Sequence, residues 1–89
     1  MATRSVSIGS SVGLHARPAT LFVEAVLATG LDVTIGRAGE EPVDADSLLG
    51  VMALGAKNGE EVVLTAEGDG AEAALDALVA LLARDLDAE

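Results

Sequence analysis

The sequence predicts an α+β fold, a two-layer sandwich in which one sheet buries one face against helices. Three observations predict it. Leu31, Val33 and Ile35 alternate with Asp32 and Thr34, as in a strand with one buried and one wet face. Apolar residues recur at spacings of three and four from Ala16 to about Thr29, and again from Ala71 to Leu82, as in amphipathic helices. At 89 residues the chain has room for one core and not two, so residues 1–89 are expected to form a single domain.

The elements follow in order. Val6 and Ile8 alternate with Ser5 and Ser7, predicting a short first strand that Gly9-Ser10-Ser11 breaks. A helix from Ala16 places Ala19, Phe22, Val23 and Val26 on one face. Pro18 fits its first turn, where a missing N–H loses no intrahelical bond, and Gly30 closes it. The second strand spans Leu31 to Ile35. Ala38-Gly39-Glu40-Glu41-Pro42 reads as a turn, with a brief third strand near Val43. Asp46 or Ser47 is positioned to cap a short helix through Leu54, which Gly55 stops. Lys57-Asn58-Gly59 is a turn signal, and Glu61 to Thr65 supplies a fourth strand. Asp69 with Glu72 resembles a capping box. The last helix follows, with Ala71, Ala74, Leu75, Leu78, Val79 and Leu82 on one face. The order is β-α-β-β-α-β-α.

Composition narrows the function classes. Phe22 is the single aromatic residue, so the core is expected to be aliphatic. There is no cysteine, hence no disulfide framework and no thiolate metal site, in keeping with a reducing compartment. Asp and Glu outnumber Lys and Arg 15 to 5, a balance that disfavours nucleic acid and anionic membrane as partners. The first residues, Met1-Ala2-Thr3-Arg4-Ser5, show no signal-peptide pattern. The longest apolar or glycine stretch, Leu48 to Ala56, is far short of the roughly 20 residues a membrane helix needs. A soluble, cytoplasmic protein is expected.

Chemistry concentrates at one place. The only histidine, His15, lies in Gly13-Leu14-His15-Ala16-Arg17-Pro18-Ala19, at the predicted helix start. The first N–H groups of a helix lack intrahelical partners, and the macrodipole puts partial positive charge there. The N–H groups of Ala16 and Arg17 are placed to face an anion, and the Arg17 guanidinium suits phosphate. The same positive end disfavours imidazolium and so keeps His15 neutral and nucleophilic. No second His or Cys is available for a metal site, and no cofactor is expected.

That heptapeptide resembles the active-site motif of the HPr family, the histidine-containing phosphocarriers of the bacterial sugar phosphotransferase system. A second segment, Ser47-Leu48-Leu49-Gly50-Val51-Met52-Ala53-Leu54-Gly55, resembles the family's regulatory-serine helix. The resemblance implies an open-faced sandwich, a four-stranded antiparallel sheet covered on one face by three helices. It implies that His15 accepts a phosphoryl group at Nδ1 from phosphorylated enzyme I, charged by phosphoenolpyruvate, and passes it to an enzyme IIA. It implies a monomer that carries phosphate rather than an enzyme. It places Thr20, Leu48 and Met52 on the docking surface, with Val51 and Leu54 in the core, and makes Ser47 a target for a serine kinase in some members. Asp44 and Asp46 stand close enough to oppose a phosphate on Ser47. Glu24, Leu27 and Asp46 stand where family members often carry basic residues, so docking is expected to be mainly apolar and weakly salt-dependent.

Other functions remain to be separated. Asp46-Ser47-Leu48 also matches the triplet on which acyl carrier proteins bear their prosthetic arm, although those are helical bundles. A regulatory module on the same fold, or a carrier of a nitrogen-related branch, would share most of these features.

Overall fold

Alternating burial along the strands decides which face of the sheet meets the helices. The computed structural model describes residues 2–11, 13, 14 and 16–84. Its elements are β1 (Ala2–Ser7), α1 (Ala16–Thr29), β2 (Val33–Arg37), β3 (Val43–Asp44), α2 (Leu48–Leu54), β4 (Glu61–Ala66) and α3 (Ala71–Ala83). The four strands form one sheet in the order β1-β4-β2-β3, and every neighbouring pair is antiparallel. Buried Val6 stands opposite Val62, Ala2 opposite Ala66, and Ile35 opposite Leu64. Those inward residues form one apolar surface of cross-strand pairs. Thr3 and Ser5 point the other way and are exposed.

The helices close that surface. α1 buries Pro18, Ala19, Phe22, Val23 and Val26, α2 buries Val51, and α3 buries Ala71, Leu75, Leu78 and Leu82. The architecture is the open-faced sandwich expected, and α1 runs between the residues that the apolar spacing indicated. None of the helices among the described residues is long and apolar enough to cross a membrane.

Three local expectations need correction. β1 begins earlier than the Val6/Ile8 alternation suggests, at Ala2, and ends at Ser7. β2 begins at Val33 rather than Leu31. The reason is a turn at the end of α1: Thr29 Oγ1 donates to the Val26 carbonyl at 2.7 Å and accepts from the Leu31 N–H at 3.1 Å. With Gly30 at φ 70°, that turn holds Leu31 out of the ladder. The capping box at Asp69 and Glu72 does not form. The N-cap of α3 is Gly70, at φ 80°, with no side-chain hydrogen bond. The Ala71 N–H instead donates to the Gly68 carbonyl at 3.2 Å. Glu72 is drawn off by Arg4 on β1, whose guanidinium lies 3.5 Å from Glu72 Oε1 and 2.9 Å from Asp76 Oδ1. Arg4 stands opposite Leu64, so alternation puts it on the helix side of the edge strand, where it joins the sheet to α3.

The exit from β1 leads directly to the site. The Gly9 N–H donates to the Leu82 carbonyl at 2.8 Å, and any side chain at Gly9 would collide with the Ala83 carbonyl oxygen. A glycine there lets the chain cross the end of α3 at backbone contact.

Candidate functional site

The chain between β1 and α1 lies on the segment joining α2 to β4. Ile8 donates its N–H to the Glu60 carbonyl at 2.9 Å and accepts from the Gly59 N–H at 2.8 Å. Asn58 Nδ2 donates to the carbonyls of Ile8 and Gly9, each at 3.3 Å. Further on, the Gly13 N–H donates to the Ser10 carbonyl at 3.0 Å, and the Leu14 N–H to the Ala56 carbonyl at 2.8 Å. Gly13 has φ +76°, and a Cβ there would come within 2.5 Å of the Ala56 oxygen. Only glycine meets both the left-handed backbone and the close approach. Leu14 is buried and anchors the chain one residue before His15.

His15 itself lies outside the described residues. Its C-terminal neighbour, Ala16, is the first residue of α1. The first turn of α1 contains no acidic residue, so nothing there cancels the positive end of the helix dipole. Ala16 and Arg17 are exposed and Pro18 is buried. Thr20 is exposed too, and its Oγ1 donates to the Ala16 carbonyl at 2.8 Å, so its hydroxyl proton is committed to the helix. An anion at such a helix end gains about 0.3–1 kcal/mol.

α2 is capped at both ends as its sequence indicates, and Ser47 rather than Asp46 is the N-cap. Ser47 Oγ accepts from the Gly50 N–H at 3.1 Å, and its carbonyl accepts from the Val51 N–H at 2.9 Å. Gly55, at φ 65°, closes the other end by donating to the Met52 carbonyl at 3.1 Å. Ser47→Ala leaves the Gly50 N–H without its acceptor and is expected to lower stability by about 1 kcal/mol. Urea unfolding measures this, and an unchanged midpoint would mean that water replaces the cap without cost.

The residues expected to dock partners divide. Leu48 is 38% exposed, whereas Met52 is half-buried and packs against the core. Val51 is fully buried as expected, but Leu54 is only half-buried. Two more apolar residues are exposed: Leu27 at 60%, which the sequence reading set where basic docking residues are expected, and Leu49 at 82%, to which it gave no role. Leu49 was legible in principle. It lies two positions from Val51, about 200° around the helix, so burial of Val51 turns Leu49 outward. The absence of any polar residue in α2 hid that outward face.

Arg37, at the end of β2, was not singled out by sequence at all. Its Nε and Nη2 hold the two carboxylate oxygens of Glu60 at 3.1 and 3.2 Å. Nη1 donates to the Leu54 carbonyl at 2.7 Å and Nη2 to the Gly55 carbonyl at 3.0 Å. Arg37, and then the Lys57 N–H at 2.7 Å, hold the Glu60 carboxyl below the usual glutamate range. A carboxylate so depressed contributes stability that is fully present above the ordinary glutamate pKa and is lost as pH falls through the folded value. Glu60→Gln is therefore expected to be less stable than wild type near neutrality, with the gap closing in acid. Urea midpoints of the two proteins across pH test this, and a gap independent of pH would contradict it.

Among the described residues, no group of His, Cys, Asp or Glu is arranged to hold a metal ion. Comparison with known proteins adds what geometry alone does not. Residues 2–84 match a family model described as the PTS HPr component phosphorylation site. The chain is 53% identical over 87 residues to the phosphocarrier protein HPr of Streptomyces coelicolor, covering 98% of this chain and 94% of that protein. Its backbone superposes on the crystal structure of HPr-C-His from Thermoanaerobacter tengcongensis with a TM-score of 0.85 at 39% identity, covering 92% of this chain and 91% of that one. A structure described as an HPr dimer from the same organism is similar at a TM-score of 0.68 and 40% identity, covering 91% of this chain and 92% of the other.

Proposed function

The chain belongs to the HPr family of phosphocarrier proteins, and on that premise we propose that it accepts a phosphoryl group on His15 from phosphorylated enzyme I and hands it to an enzyme IIA for sugar uptake. The observation that carries this reading is the family match over residues 2–84, which includes the Gly13 to Ala19 motif at the entry to α1.

In the forward step, the lone pair of His15 Nδ1 forms an N–P bond as the bond from phosphorus to the carrying group of phosphorylated enzyme I breaks. The phosphoryl group moves without net oxidation, and the donor group leaves with the electron pair. The reverse geometry serves donation to enzyme IIA. The protein is consumed and regenerated, and catalysis is shared with whichever partner is docked. Its own contribution is placement and charge. The α1 amides and the Arg17 guanidinium stabilise the phosphoryl oxygens by about the energy of a helix-end anion site plus charge-assisted hydrogen bonds. That is modest, as a carrier that must release its cargo requires.

Partners dock, in this reading, over Thr20, Leu48, Leu49 and the exposed part of Met52, with Leu27 extending the apolar surface along α1. The carrier works in the cytoplasm as a monomeric, single HPr-like domain. Ser47 serves first as the α2 cap. A kinase acting on it would have to place phosphate near Asp44 and Asp46, which makes regulation there the secondary proposal. An acyl carrier function is contradicted by the four-stranded sheet, since acyl carriers are helical bundles.

The test is transfer from labelled phosphoenolpyruvate through enzyme I. The reading predicts one acid-labile, base-stable label per chain, and an absence of label under these conditions would overturn it.

A further inference from the structure

Arg37 makes four hydrogen bonds to three residues distant in sequence. It takes both oxygens of Glu60 and, with its remaining donors, the carbonyls of Leu54 and Gly55. α2 has no basic residue of its own in its last turn, so the guanidinium supplies the cation and the donors that its C-terminal carbonyls otherwise lack. Glu60 in turn accepts from the Lys57 N–H, so the clamp grips the α2–β4 segment at both ends.

What lies on that segment gives the clamp its significance. Ala56 accepts from Leu14, Gly59 donates to Ile8, Glu60 accepts from Ile8, and Asn58 reaches Ile8 and Gly9. Gly13 touches Ala56 and Lys57 so closely that a Cβ would not fit. The backbone leading into His15 is therefore laid against a segment whose own position is set from β2. A shift of the 54–60 backbone displaces Leu14 directly, through a single hydrogen bond.

We propose that Arg37 is a positioning residue for phosphoryl transfer: with Glu60 it holds the α2–β4 segment in the one register that seats Gly13 and Leu14, and so places the neighbouring His15. The proposal rests on the phosphocarrier reading. Arg37 does not touch the phosphoryl group in this account; it acts through Ala56 and Leu14. A positioning group of this kind changes the rate of transfer within the docked complex rather than the strength of docking.

The experiment uses the full chain with Arg37→Gln and Arg37→Lys, and with Arg4→Gln as a control. Arg4 makes two ion pairs, to Glu72 and Asp76, that join edge strand β1 to α3, so it probes general loosening without touching the clamp. Two readouts are taken. The first is kcat and KM for phosphoryl uptake from enzyme I. The second is hydrogen exchange at the Leu14 amide compared with β4 amides. Arg37→Gln is expected to lower kcat about tenfold while KM stays within about twofold. It should also speed Leu14 exchange about tenfold, with β4 amides little changed. Arg37→Lys, which keeps one charge but cannot span Glu60 and both carbonyls, should fall between Gln and wild type. Arg4→Gln should leave both readouts at wild-type values. Wild-type kcat and Leu14 protection in Arg37→Gln would overturn the proposal, as would equal losses in Arg4→Gln. Failure of wild type to take up phosphate would instead defeat the phosphocarrier reading, and Leu14 exchange would still decide whether the clamp seats the loop.

Discussion

Replacing Phe22 by Ala is expected to cost about 3–5 kcal/mol of folding stability, the largest loss of any single core substitution in this chain. Phe22 is the only aromatic residue and is fully buried. The rest of the buried apolar core is mainly Val, Leu, Ile and Ala, with Ala at six buried positions, 2, 19, 45, 56, 66 and 71. A close-packed core relaxes only in part into the space the ring vacates. The cavity term therefore adds to the lost transfer energy rather than being relaxed away. A domain of this size has roughly 5–15 kcal/mol in total, so the variant stands near the edge of folding. Phe22→Leu, which retains most of the volume, should lose much less. Denaturant unfolding of both variants measures this, and a loss below about 1 kcal/mol for Phe22→Ala would mean that the core repacks around the missing ring.

The effect reaches function because Phe22 lies on the helix that opens at the site. Its ring is buried with Ala19 and Val26 on the face of α1 that joins the core. Loss of that anchorage loosens the first turn, whose amides and Arg17 are the proposed phosphate contacts. Stability and transfer rate should therefore fall together in Phe22→Ala, whereas Arg37→Gln should separate them.

The comparison of sequence with structure follows the range of the interactions involved. Local signals were legible. The three-four spacing placed α1 correctly, Ser47 and Gly55 declared both ends of α2, and alternation identified the buried face of β2. Each of these depends on residues within a turn or a strand of one another. The start of β2 was misplaced because Thr29 holds Leu31 in a turn, and Thr29 carries no mark that distinguishes it from any helical threonine. The capping box at Asp69 failed for a tertiary reason, since Glu72 faces Arg4 across 68 positions of sequence. Arg37 was invisible for the same reason. As the last residue of a strand in an acidic protein it looks like a solvated charge, and its partners lie 17 to 23 residues away.

The site divides in the same way. The chemistry proposed for it rests on seven consecutive residues, so His15 and Arg17 are proposed from sequence alone. Its support was not legible there, because the Leu14–Ala56 bond, the close approach at Gly13 and the Arg37–Glu60 clamp all join segments that only the fold brings together. The proposed docking residues fall between. Leu48 was named correctly as exposed, Met52 is partly withdrawn into the core, and Leu49 was missed because α2 offers no polar residue to show which way it turns.

His15→Ala is expected to abolish phosphoryl uptake while leaving the fold intact. No other histidine exists to take the group, and there is no cysteine to substitute as nucleophile. An exposed serine is a poor stand-in, since a serine phosphate is stable in acid whereas a phosphohistidine is not. The decisive measurement is therefore incubation of wild type and His15→Ala with enzyme I and labelled phosphoenolpyruvate, followed by acid and base treatment of the product. The account predicts acid-labile, base-stable label on wild type and none on the variant. Acid-labile label on His15→Ala would contradict it.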